Sequence, residues 1–321
     1  MLDHRLFAVL MLVLAGLWLA ARLDRWAGLF LAYCAALTLL TPSEQRGLVQ
    51  VQLFAMGLLA YAWVRLNPWA WWRPVLIGAG VVESLIAIWQ WSTAKPPFIE
   101  QYHAPGLIGN GNWAGSLLAM TGVLAPVVLL PVFLAGFFVT GHRLGFLAFA
   151  VGLLWRWREW WRWSVPGAGL IAGAGWLIWT LNHDALGSPD AVINRGAAWG
   201  YGLTLWLHNG VVLGLGPNGW ATYMPGYQYA LGQMGGLFLH AHNEPLQVLV
   251  ETGFVGLALV AAWCWYQRRI FWTTWAPACV ALGVLSLGMF PFRVPALGLV
   301  AVVVVAAAVA ETVTLYDGGQ E

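Results

Sequence analysis

The feature that most constrains this chain is a series of apolar runs, near residues 6–21, 26–40, 47–64 and 74–91, which recur to its end. Runs of this kind read as helices crossing roughly 30 Å of hydrocarbon, because in lipid only a helix satisfies its own backbone. Charged residues make up 9% of the 321 positions against 60% hydrophobic, with a mean hydropathy of +0.72. A soluble domain carries about 25% charged residues. The composition therefore excludes a cytosolic enzyme, a disordered regulator and a secreted disulfide scaffold. It predicts an all-α, polytopic transmembrane helical bundle.

From Trp113 to Trp155 the chain is almost continuously apolar, interrupted at Pro126, Pro131 and Thr140-Gly141-His142-Arg143. It reads as two long crossings or three short ones, since proline ends or kinks a helix. Further spans are expected near 164–181, 245–266, 271–290 and 294–310, about eleven in all with three middle crossings. No soluble domain is left over, so residues 1–321 read as one membrane domain. The apolar run from Leu6 to Ala21 lacks a small-residue cleavage site and reads as a retained helix. Cys34, Cys264 and Cys279 lie in apolar runs and read as small buried hydrophobes.

Residues 182–241 form the one long segment that is not a simple span, a loop rich in Gly, Asn, Pro, Tyr and Trp with an amphipathic stretch Trp199 to Leu207. With three middle crossings, nine arginines (22, 25, 65, 73, 156, 158, 162, 268 and 269) fall on one face, against six basic residues on the other. The arginine-rich face is then cytoplasmic and the large loop outer, with the N-terminus outside. Interleaved Arg and Trp from Arg156 to Trp163 read as an interfacial belt, not a nucleic-acid platform, and a net charge of +2 gives no nucleic-acid footprint.

Ionisable groups inside a membrane are costly and therefore candidates for function. Glu83, with Gln90 two turns on, reads either as a functional group or as a structural pair. The densest constellation is His240-Ala241-His242-Asn243-Glu244-Pro245. Asn followed by Glu and Pro suits a helix start, with Asn243 as the cap and the helix beginning at Glu244. Glu244, Gln247 and Glu251 then share one face, a polar stripe about 10 Å deep that is expected to line a wet cavity. His242, just outside a helix N-terminus, tends to be neutral and is a general-base candidate, or else a capping or interfacial histidine. A zinc site from His240, His242 and a carboxylate lacks the i, i+4 spacing and a completing ligand. Arg143 and Arg195 suit bidentate binding of a diphosphate, or snorkelling at the interface. Gly214-Leu215-Gly216-Pro217-Asn218-Gly219 spells a dinucleotide fingerprint but lacks the strand and helix that motif requires, so it reads as a tight turn that brings backbone close to a ligand.

Together these motifs resemble the bacterial O-antigen ligase and polymerase superfamily of membrane glycosyltransferases. His242-Asn243, nine residues, then Gly253-Phe254-Val255-Gly256 resembles the ligase signature, with Glu251 in the expected place. Gly109-Asn110-Gly111-Asn112 with Ala114, Thr140-Gly141-His142-Arg143, Arg195 with Trp199, and Gly214-Leu215-Gly216-Pro217 resemble four further family motifs in the same order. The second has His142 where serine is usual.

The resemblance implies a fold of the C-type glycosyltransferase (GT-C) kind in the bacterial inner membrane. It implies transfer of a glycan from a polyprenyl (undecaprenyl) diphosphate to an acceptor hydroxyl on a lipid A-core, a glycan or a protein, at the periplasmic face, with no metal and no cofactor. His242 would act as base and Glu251 would support the site. Arg143 and Arg195 would hold the diphosphate, and His240, Asn243, Asn110, Asn112 and Trp199 would complete substrate binding. An O-antigen polymerase and a protein O-oligosaccharyltransferase share these motifs. A lipid or polysaccharide transporter and a structural partner of an envelope complex are the readings from other classes.

Overall fold

The computed structural model describes residues 4–41, 44–68, 70–93, 104–160, 190–230 and 239–316. Its helices are α1 (His4–Arg22), α2 (Arg25–Leu40), α3 (Glu44–Leu66), α4 (Trp72–Thr93), α5 (Gly111–Gly122), α6 (Leu130–Thr140), α7 (Arg143–Arg156), α8 (Asp190–Asn209), α9 (Gly219–Ala230), α10 (Glu244–Tyr266), α11 (Ala276–Ser286) and α12 (Pro295–Tyr316). No strand occurs among the described residues. Among the described residues four helical stretches are long and apolar enough to cross a membrane: Gly47–Leu66, Trp72–Thr93, Glu244–Trp272 and Pro295–Tyr316. Phe7–Leu19, Arg25–Leu40, Val127–Thr140 and Ala276–Ser286 are apolar but shorter. The span expected near 164–181 lies outside the described residues. Large apolar side chains such as Leu40, Met56, Trp89 and Val128 point outward, as helices bathed in lipid require. Cys264 also faces outward, unlike buried Cys34 and Cys279, so only two of the three cysteines are core hydrophobes.

The chain divides into two compact units. The first comprises Met1–Ala62 and Asp190–Arg268. In it α1 and α2 pack at close range because Gly16 has no Cβ to hold off the backbone of Gly28 and Ala32. Asp24, the N-cap of α2, is buried and accepts from Ala27 N (3.2 Å), Tyr61 Oη (2.9 Å), Gln267 Nε2 (2.9 Å) and Trp263 Nε1 (3.1 Å). One carboxylate thus ties the start of α2 to the ends of α3 and α10. The large loop expected over 182–241 carries α8 and α9. Its amphipathic stretch belongs to α8, which packs on a core of Trp206, Leu215, Trp220, Met224 and Val250.

The second unit comprises Trp63–Pro189 and Arg269–Glu321. The stretch 113–155 resolves into three short helices, α5, α6 and α7, separated by Pro126 and by the left-handed Gly141 (φ 62°). Arg73 and Arg156 donate to the carbonyls of Val123, Leu124 and Ala125, the unsatisfied C-terminal end of α5, where a cation complements the helix dipole. Arg158 stacks over Trp155 and Trp272 at 5.3 and 5.4 Å.

Candidate active site

The site in the first unit is built on the turn before α10. Asn243 is extended (φ −159°) and its side chain accepts from Leu246 N at 2.9 Å, so it caps a helix that begins at Glu244. Immediately before it, His242 takes a left-handed backbone conformation (φ 51°), which costs a non-glycine residue of the order of 1 kcal/mol and must be imposed by its neighbours. The neighbours act through Ala241. Its carbonyl accepts from the Trp199 indole Nε1 at 2.6 Å, and its amide donates to Gln247 Oε1 at 3.0 Å. Gln247 Nε2 in turn donates to Glu251 Oε1 at 3.0 Å. Ala241 is clamped on both sides, and His242 hangs from the clamp.

Trp199 and Arg195 lie one turn apart on α8, so the helix that holds the clamp also brings a guanidinium toward His242. Burial pushes the His242 imidazole down to about 4, and the charges of Arg195 and His240 add to the effect. His242 is therefore neutral at pH 7. The expected cause was the helix N-terminus; desolvation is the larger one. Burial also lowers the pKa of Arg195, which nonetheless stays charged. The stripe of Glu244, Gln247 and Glu251 is buried. Gln247 spends one polar atom on the Ala241 clamp and the other on Glu251.

The lower end of this site is a break in α10. Gly253 has φ 63° and ψ −167°, outside the helical region, and the helix continues beyond it. In an unbroken helix the carbonyls of Val250 and Glu251 would accept from the amides of Phe254 and Val255. Instead Leu215 N donates to Val250 O (3.0 Å) and Gly216 N to Glu251 O (2.9 Å), while Phe254 N and Val255 N donate to Val211 O (3.2 Å) and Val212 O (3.3 Å). The Gly214-Leu215-Gly216 turn thus splints the break. Gly214 (φ 77°) and Gly253 lie backbone against backbone: a Cβ on Gly214 would meet Glu251, and one on Gly253 would meet Val212. The glycine turn approaches protein backbone, where the sequence pointed to a ligand.

In the second unit, Asn110 caps α5 through Asn112 N at 2.9 Å, and Arg143 opens α7 on an exposed position. The starts of α5 and α7 adjoin, because buried His142 lies against Gly115 and Gly145, whose missing Cβ atoms make room for its ring. Asn110, Asn112 and Arg143 therefore share one end of this unit. The loop before α5 is gripped from α4: Glu83 Oε2 accepts from Leu107 N at 3.1 Å, while Gln90 accepts from Gly106 N at 2.8 Å and donates to its carbonyl at 3.2 Å. Of the two readings of Glu83, its contacts favour the structural one. Among the described residues no three His, Cys, Asp or Glu side chains gather as metal ligands.

No curated protein and no solved structure matches the chain. A family model described as O-antigen ligase matches residues 126–261, a stretch that holds Arg143, Arg195, Trp199, His240, His242, Asn243 and Glu251 and leaves Asn110 and Asn112 outside it. Over that stretch the chain is similar to the O-antigen ligase family.

Proposed function

We propose that this protein is a metal-independent membrane glycosyltransferase of the O-antigen ligase kind. It moves a glycan from an undecaprenyl or related polyprenyl diphosphate to an acceptor hydroxyl at the periplasmic face of the bacterial inner membrane. The observation that carries the reading is a neutral imidazole, His242, held by a doubly clamped residue within electrostatic range of the Arg195 guanidinium. The acceptor is a lipid A-core, a glycan or a protein, so polymerisation and protein O-glycosylation remain within the same chemistry. The bundle is then of the GT-C kind, with about eleven crossings, eight of them from the four long and four shorter apolar helices and the others from α5, α7 and the span expected near 164–181.

His242 takes the acceptor hydroxyl proton as that oxygen bonds to the sugar's anomeric carbon. The bond from that carbon to the diphosphate oxygen breaks, and the lipid diphosphate leaves with the electron pair. Arg195 stabilises the charge that builds on the leaving group. Glu251, through Gln247, keeps the Ala241 clamp and hence the imidazole in place. His240, Asn243 and Trp199 line the substrate's path.

Arg195→Gln tests this in purified protein supplied with a polyprenyl diphosphate-linked glycan. Loss of one preorganised charge stabiliser is expected to lower kcat by about 10² to 10³. Arg195→Lys keeps the charge without the planar fork and falls between the two. Wild-type turnover in the glutamine variant removes Arg195 from the reaction.

A further inference from the structure

Tyr33 lies on α2, outside the stretch that matches the O-antigen ligase family, yet its hydroxyl reaches the break in α10. It lies 2.9 Å from Thr252 O and 3.2 Å from Leu213 O, one residue from each side of the Gly214 and Gly253 contact. In an uninterrupted α10, the carbonyls of Val250, Glu251 and Thr252 would accept from the amides of Phe254, Val255 and Gly256. Leu215 N and Gly216 N serve the first two carbonyls. The third accepts from Tyr33 Oη, a side chain 219 residues away in sequence. Thr252 is buried, so once that hydroxyl is gone the donor left to its carbonyl along the chain is Gly256 N, and a full bond there favours closing the helix. Closing it would compete for the same carbonyls that Leu215 and Gly216 hold.

We infer that Tyr33 is a positioning residue: by occupying the Thr252 carbonyl it holds α10 broken at Gly253 and so sets the direction of the segment Glu244–Thr252, which carries Glu251, Gln247 and the cap beside His242. This inference rests on the transferase reading for its catalytic half only. Its upper end is fixed by the Ala241 clamp, and its lower end by Tyr33 and the glycine turn. A segment fixed at both ends keeps the imidazole at a constant distance from Arg195. Tyr33 touches no reacting atom.

The test is Tyr33→Phe in the full chain in lipid nanodiscs, which retains the ring and removes only the hydroxyl. Hydrogen exchange is read on peptides covering 211–216 and 250–256, whose amides form the splint, and on a peptide from α12 as reference. The expected result is exchange faster by roughly fivefold to tenfold in both splint peptides and unchanged in α12, the loss of about one hydrogen bond. With a polyprenyl diphosphate-linked glycan, kcat is expected to fall by a similar factor while KM stays within about twofold, since alignment and not binding is lost. Unchanged exchange in the splint overturns the inference. Faster exchange with unchanged kcat also overturns it, because the hydroxyl would then be merely structural. If the wild type transfers nothing, the transferase reading fails and the catalytic half falls with it, while the exchange still decides whether Tyr33 holds the break.

Discussion

Replacing His242 with alanine is expected to lower glycan transfer by about 10² to 10⁴, the usual contribution of a positioned general base. In cells the lipid-linked donor accumulates and the transferred product is lost. The size of the effect follows from the geometry. The imidazole sits on a residue in an unfavourable left-handed conformation, which two hydrogen bonds to Ala241 maintain, and such strain is kept where a side chain must be aimed. Alanine at 242 leaves both bonds to Ala241 and the Asn243 cap in place, so protein yield should remain near the wild-type level. Following lipid-linked and transferred glycan side by side checks the expectation. Normal product formation in the variant would mean that another group takes the proton.

The second large effect is structural. Gly253→Ala puts a Cβ onto the backbone of Val212 and Gly214, which cannot turn aside as a side chain can, at a φ that L residues rarely adopt. The strain of such a conformation is about 1–3 kcal/mol. The variant also loses splint bonds worth about 1 kcal/mol each, at Leu215, Gly216, Phe254 and Val255. Together the loss is about 5–7 kcal/mol, comparable to the whole stability of many proteins. The expected result is little folded protein, or a melting temperature lower by about 10 °C or more. Gly283→Ala is the control: it lies inside α11 with open space around it, and there alanine should be neutral or stabilise by about 0.5–1 kcal/mol. Equal melting temperatures for Gly253→Ala and the control would mean that the break is not a fixed feature of the fold.

Local signals in the sequence were legible where the physics is local. The Asn243 cap and the start of α10 at Glu244 depend only on neighbours along the chain and stand as expected, whereas the stripe of Glu244, Gln247 and Glu251, expected to line a wet cavity, is buried. The all-helical, apolar character follows from composition alone. The break at Gly253 was not legible, because residues 245–266 read as one span and one glycine within it reads as ordinary in a membrane helix. Its partner strand of backbone, 211–216, lies some forty residues earlier, and no periodicity links the two. Trp199 and Arg195 pointed to the substrate; the indole spends its donor on Ala241, so its contribution comes through the turn. Tyr33 was missed entirely, since a tyrosine in an apolar helix carries no mark of where its hydroxyl will land. Short helices in the middle of the chain were half legible: Pro126 and Gly141 marked the interruptions, and packing alone decides how far each piece extends.

The most direct measurement is the acidic limb of kcat/KM, which reports the free enzyme's essential base. A base must be neutral to act, and His242 is pushed down to about 4 by burial first and by Arg195 and His240 next. Activity should therefore hold nearly constant from pH 7 to 5 and fall by half near 4. Arg195→Gln removes one neighbouring cation, so its remaining activity should show the limb displaced toward higher pH. A wild-type limb centred near the ordinary histidine value of about 6.5, unmoved by Arg195→Gln, would contradict a buried imidazole working beside that guanidinium.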